Sequence, residues 1–171
     1  FPHLLERNIK IAAYKSPEYI KDVGTPERLE KVIEDVQNLK HELFSFQKSR
    51  PAIFLDRDGT INLENGHIKC PEELQLLPNV GKAIHKLNIN GFLVIIVTNQ
   101  PVLARGDCDF RTLGEIHNKM ETLLGHSKAF VDRIYFCPHH PHAGFKGEVS
   151  KLKQECRCRK PGLQLIEDAQ S

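Results

Sequence analysis

Three stretches of apolar residues limit this chain to few architectures: PAIFLD (51–56), FLVIIVTNQ (92–100) and AFVDRIYFC (129–137). Each is a short continuous run, the pattern of a strand buried on both faces of a parallel sheet. Between them lie helical patterns, PNVGKAIHKLNING (78–91), closed by a glycine, and residues 109–125. Strands alternating with helices predict an α/β fold, a Rossmann-like parallel sheet with flanking helices. Such sheets bind ligands at the carboxyl ends of their strands, where Asp56, Thr98 and Cys137 stand.

The residues before position 49 read differently. TPERLEKVIEDVQNLKHELFSF (25–46) predicts one amphipathic helix, with Thr25 as N-cap, Pro26 at the first helical position and Glu27 in the first turn. Leu29, Val32, Val36, Leu39, Leu43 and Phe46 recur at alternating spacings of three and four, a heptad seam under three heptads long. The seam either packs on its own domain, pairs with a second copy of the chain, or connects two domains. The expected division is a helical segment and linker over 1–48 and an α/β domain over 49–171.

Lys and Arg total 24 against 22 Asp and Glu, a net charge of +2 that demands neither nucleic acid nor an anionic membrane as partner. No apolar run approaches the ~20 residues of a membrane span, so a soluble, cytoplasmic protein is expected. Five cysteines, an odd number, argue against a disulfide framework and for a reducing compartment. The sequence begins at Phe1 without Met and ends inside the helical pattern GLQLIEDAQS, so a fragment of a longer protein is expected.

The first apolar run ends in DRDGTIN, two aspartates one residue apart followed by a glycine that frees the backbone. If alternation persists, Asp56 and Asp58 point the same way. Paired carboxylates suit a divalent cation, and a carboxylate can attack phosphorus to form an aspartyl-phosphate. The neighbouring acid can then protonate the leaving oxygen and activate water. Further on, CPHHP (137–141) and CRC (156–158) supply Cys137, His139, Cys156 and Cys158, a Cys₃His set of the kind that closes a structural zinc site. His140 and His142 are alternatives to His139. The insertion between the pairs would be held by the metal, which would place Arg159 and Lys160 at the site.

DRDGT after an apolar strand, TNQ at the end of the next and RKP further on resemble the first three motifs of the haloacid dehalogenase superfamily of phosphohydrolases. The resemblance implies that Asp56 is the nucleophile and a Mg²⁺ ligand, and that Asp58 is the general acid/base, lending its carbonyl to the metal. It implies that Thr98 and Asn99 bind the phosphoryl oxygens and that Lys160 offsets their charge. With CPHHP and CRCRKP added, the series is similar to the heptose 1,7-bisphosphate phosphatase group, enzymes with a zinc loop and no large cap. Histidinol-phosphate phosphatases share the zinc ligands but have a shorter loop. QPVLARG (100–106) departs from the group's serine and glycine after the glutamine, which leaves the sugar open; by the same resemblance Arg105 contacts the distal phosphate or the sugar. The fourth acidic motif of the superfamily is not found after Lys160, so weak catalysis or a non-catalytic zinc-stabilised module is the other expectation, unless Glu167 or Asp168 substitutes. FPHLLERN and SPEYIKDVGTPERLEKV resemble the carboxyl end of a sugar-phosphate nucleotidyltransferase, with Asp22 at a position that helps hold Mg²⁺.

Overall fold

The computed structural model describes residues 2–7, 9, 16, 18–45, 47 and 49–170. They form two compact units, Phe1–Ser49 and Arg50–Ser171.

The first unit holds helices α1 (Pro2–Glu6), α2 (Pro26–Gln37) and α3 (Lys40–Leu43). Thr25 caps α2 by accepting the Arg28 N–H at 3.3 Å. The single helix expected over 25–46 is interrupted. Leu39 takes the left-handed conformation at φ 56, and both the backbone and the side-chain N–H of Asn38 donate to the Glu34 carbonyl. A side-chain amide that satisfies a terminal carbonyl competes with the next helical turn, and the chain restarts at Lys40. In place of the seam, α2 buries Asp35, held by Lys40 Nζ at 2.6 Å and the Tyr19 hydroxyl at 3.0 Å. Leu29, Val36 and Leu39 are exposed, and Phe46 lies outside the described residues. Asp22, the expected Mg²⁺ ligand, pairs with Arg28 and accepts the Gly24 N–H at 3.2 Å.

The second unit runs β1 (Ala52–Leu55), α4 (Val80–Ile89), β2 (Leu93–Asn99), α5 (Val102–Arg105), α6 (Phe110–Gly125), β3 (Arg133–Cys137) and α7 (Gln164–Gln170). The three strands are parallel in the order β1-β2-β3, with Leu55 opposite Ile96 and Asn99 opposite Cys137. One face of the sheet packs Val94 and Ile96 against Ile84, Ile116, Met120 and Leu124. The other packs Ile95 and Val97 with Cys137, Cys158 and Leu165 of α7. Burying a leucine such as Leu165 stabilises by about 1.5–3 kcal/mol, which ties α7 and the loop before it to the sheet.

The continuous apolar pattern describes the central strand better than its neighbours. β2 is buried over Val94–Thr98, whereas β1 lies at the sheet edge and leaves Ala52 and Phe54 exposed. The third run also overstates its strand, since pairing starts only at Arg133. Ala129 and Val131 instead fill the core from a loop, and the Asp132 carboxylate accepts the Val94 N–H at 2.7 Å. Among the described residues, no helix is long and apolar enough to cross a membrane.

Candidate active site and metal centre

The carboxyl ends of the strands open into a cavity of about 270 Å³, lined by Asp56, Asp58, Thr98, Asn99, Arg159 and Lys160 among others. Asp56 follows β1, where Gly59 (φ 72) turns the chain and the Arg57 carbonyl accepts the N–H groups of Thr60, Ile61 and Asn62. The Asp56 Oδ1 accepts the Arg57 N–H at 2.7 Å, and Oδ2 lies 2.5 Å from Lys160 Nζ. Lys160 also donates to the Val97 carbonyl at 3.0 Å. Its backbone is fastened to Asn99, whose Oδ1 accepts the Lys160 N–H at 2.9 Å while its Nδ2 donates to the Lys160 carbonyl at 3.3 Å. The lysine therefore reaches the strand ends from a loop 61 residues away because an asparagine at the end of β2 clasps that loop.

Thr98 is buried, and its Oγ1 accepts from Gln100 Nε2 at 2.9 Å. That bond uses an oxygen lone pair and keeps the hydroxyl hydrogen for an acceptor in the cavity. Gln100 Nε2 also donates to Asp58 Oδ2 at 2.9 Å.

The residue between the aspartates went unassigned at the level of sequence. Arg57 is 1% exposed and lines the cavity together with the two aspartates. Its Nε and NH2 donate to the Asp58 carboxylate at 2.9–3.1 Å, and NH1 lies 3.4 Å from His117 Nε2. Asn62 Nδ2 adds a further bond to Asp58 Oδ1 at 3.0 Å. Both Asp58 oxygens are thus engaged, and donating a proton requires the carboxyl to leave at least one of these partners. His117, buried on α6 against Phe136, has its pKa lowered to about 4, by burial first and then by the positive charge of Arg57. It is neutral at pH 7, and its Nε2 accepts from the guanidinium. A core position tolerates a guanidinium only where partners are supplied, and here Asp58 and His117 supply them.

The fold brings the second constellation together. Donor atoms of Cys137, His139, Cys156 and Cys158 all lie within 4.8 Å of one another. The sulfurs are 3.1–3.5 Å apart, and His139 Nδ1 stands 3.2 Å from Cys158 Sγ and 3.7 Å from Cys137 Sγ. All five cysteines are free. Zn–S bonds of about 2.3 Å give tetrahedral edges of roughly 3.8 Å, so slight expansion fits these donors around a zinc ion. The structure chooses among the histidines: His140 Nδ1 accepts its own turn's His142 N–H at 3.2 Å, and neither belongs to the cluster. His139 Nε2 meets the Gln154 side-chain amide at 2.9 Å, an outer contact that orients the ring. Burial raises the thiol pKa values of Cys137 and Cys158; for Cys156 burial is outweighed by hydrogen bonds from Cys158 and Cys137, and the net shift is downward.

Arg159 lines the cavity and donates to the His139 carbonyl at 3.3 Å, linking the two sites. Arg105 stands one layer behind, with NH1 2.5 Å from Nε2 of His67, which does line the cavity. Glu167 pairs with Arg157 at 2.9 Å. Asp56 supplies carboxylate oxygen, a hard donor suited to Mg²⁺, in a cavity that also holds Asp58.

No family model matches the chain. It is 42% identical over 117 residues to the D-glycero-beta-D-manno-heptose-1,7-bisphosphate 7-phosphatase of Escherichia coli strain K12, covering 67% of this chain and 58% of that protein. The protein of the same name from Yersinia pestis is 37% identical over 124 residues, covering 72% and 64%. The chain thus spans about three-fifths of the length of these curated relatives. Among solved structures it resembles the D,D-heptose 1,7-bisphosphate phosphatase from B. bronchiseptica complexed with magnesium and phosphate, with 38% identity and a TM-score of 0.60 over 70% of this chain and 61% of that one. The fold is therefore haloacid dehalogenase-like, as that of its structural neighbours.

Proposed function

We propose that this homologue of heptose bisphosphate phosphatases carries the core of a Mg²⁺-dependent phosphomonoesterase of the haloacid dehalogenase superfamily, acting on a small sugar bisphosphate of the heptose 1,7-bisphosphate type. The observation that carries the reading is the convergence, in one cavity at the strand ends, of the Asp56 carboxylate paired with Lys160 and of Asp58 two residues on.

Asp56 attacks phosphorus through a carboxylate oxygen, forming an aspartyl-phosphate and displacing the sugar hydroxyl oxygen. Lys160 Nζ turns from Asp56 to the phosphoryl oxygens, whose charge would otherwise repel the nucleophile, and the Thr98 hydroxyl donates to the same group. Asp58 gives the leaving oxygen its proton and then takes one from the water that hydrolyses the intermediate. Arg57, Gln100 and Asn62 hold Asp58 between these events. Asp56 and the Asp58 carbonyl would hold Mg²⁺, which supplies charge neutralisation at the phosphoryl oxygens. Cys137, His139, Cys156 and Cys158 would give zinc four protein ligands and therefore a structural role, fixing the loop that delivers Arg159 and Lys160.

We read residues 1–48 as a nucleotidyltransferase-like segment, which would join two activities of one nucleotide-sugar route, and the exposed Leu29, Val36 and Leu39 as a surface for a second copy. The free cysteines favour a reducing, cytoplasmic location. The experiment is phosphate release with millimolar Mg²⁺ from heptose 1,7-bisphosphate and from histidinol phosphate. Faster turnover of the heptose supports the reading; preference for histidinol phosphate transfers it to that substrate, and release from neither substrate refutes catalysis by this chain.

A further inference from the structure

The loop between the two pairs of candidate zinc ligands has an internal structure that the metal alone does not explain. The Glu148 carboxylate accepts the N–H groups of Gly144 and Phe145 at 2.9 and 3.0 Å, and it pairs with Lys153 Nζ at 3.3 Å. The Lys153 side chain is only 7% exposed, and its Nζ lies 4.5 Å from the centre of the Phe145 ring. The Arg105 guanidinium lies 4.4 Å from the same centre, and His140 meets the ring edge-on at 5.6 Å. Phe145 thus has two cations against it, each attracted by the ring quadrupole.

The loop is also pressed onto α5. The Val149 N–H donates to the Ala104 carbonyl at 3.0 Å. A Cβ on Gly106 would fall 1.9 Å from the Gly147 carbonyl oxygen, so the two backbones are in direct contact. Arg105 Nε is buried without a hydrogen-bond partner among the described residues, while NH1 reaches His67. The ring face therefore holds this guanidinium alongside its contact with His67.

We propose that Phe145 is a positioning residue: its ring holds the Arg105 guanidinium against His67, which lines the cavity, so that the pair lends positive charge to the side that would receive the second anionic group of a bisphosphorylated substrate. The substrate half of this statement rests on the phosphatase reading above; the ring-held guanidinium does not. Fixing a long, flexible cation before binding removes part of the ordering cost that its substrate would otherwise meet.

Two measurements on the chain test it. His67 reports where Arg105 sits, since its pKa is lowered by burial first and by the Arg105 charge second, with Asp107, Lys69 and Asp58 also facing it. An NMR titration should find the His67 pKa moved upward in both Arg105→Gln and Phe145→Leu, and unmoved in Phe145→Tyr, which keeps the ring. If Arg105→Gln moves it and Phe145→Leu does not, the guanidinium holds its place without the ring and the proposal is overturned; no movement in either variant overturns it as well. In kinetics, Phe145→Leu should raise the ratio of KM for a sugar bisphosphate to KM for phenyl phosphate about tenfold, with Phe145→Tyr restoring the ratio. An equal rise in both KM values means a general disturbance and overturns the substrate half. If the chain releases phosphate from neither compound, the phosphatase reading fails and takes the substrate half with it, while the His67 titration still decides the role of the ring.

Discussion

Acidification should destabilise this chain through His117, by an amount that follows from its surroundings. The imidazole is 8% exposed, its Nε2 faces Arg57 NH1 at 3.4 Å, and its pKa is lowered from 6.5 to about 4. The folded state therefore holds the ring neutral where the unfolded chain protonates it. Because the folded pKa is the lower one, the stabilising contribution is complete above about pH 6.5 and is lost as the pH falls towards 4. Holding the ring neutral down to about pH 4 rather than 6.5 corresponds to roughly 3.4 kcal/mol at the acid limit, and roughly 2 kcal/mol is lost between pH 7 and pH 5. The perturbation is paired with His117→Gln, whose amide oxygen still accepts from Arg57 but does not titrate. Urea unfolding followed by circular dichroism gives the stability of both proteins at pH 7 and pH 5. All other groups are common to both proteins, so only the difference between the two losses is used. The wild type should lose about 2 kcal/mol more than the variant over this interval. Equal losses would refute the reasoning, because they would mean that His117 is either already charged in the fold or solvated well enough to titrate normally.

Asp56→Asn should leave the fold intact and reduce phosphate release on the order of 10⁴-fold or more, measured with the preferred substrate, since an amide cannot form the acyl phosphate. Lys160→Met, which removes the ion pair to Asp56 at 2.5 Å, should lower kcat about 10²–10³-fold in the same assay. Metal analysis of protein purified without chelators should find one zinc per chain, and Cys156→Ala should weaken zinc retention in competition with a chromogenic chelator. Gly106→Ala should cost about 2–4 kcal/mol in urea unfolding, since the residue sits at φ 73 and the added methyl meets the Gly147 carbonyl.

The parts of this protein legible in its sequence are those set by local rules. The end of β1 could be placed because a continuous apolar run stops at Asp56, and the glycine two residues beyond Arg57 has the positive φ that the turn requires. The N-cap at Thr25 followed from one side chain and the proline after it. Local rules also misled. They extended one helix through Asn38, where a side-chain bond to Glu34 ends it, and they read β1 as buried on both faces although its position at the sheet edge exposes Phe54.

What the sequence by itself determined is the chemical inventory and its phase: two aspartates at a strand end, a threonine at the next, and three thiols in two clusters with histidines beside the first. Tertiary structure decided which members of that inventory meet. His139 was chosen over His140 because the turn after Cys137 points one ring at the sulfurs and folds the other back on His142. Arg57 found His117 across 60 residues, and Asn99 clasped Lys160 across 61. Arg105 came to rest on Phe145 through the contact of α5 with the loop. Periodicity and capping act over a turn of helix or a few residues of strand, so a sequence states them directly. Pairings at such separations depend on how the sheet and its loops close, and that closure is a property of the whole packed unit.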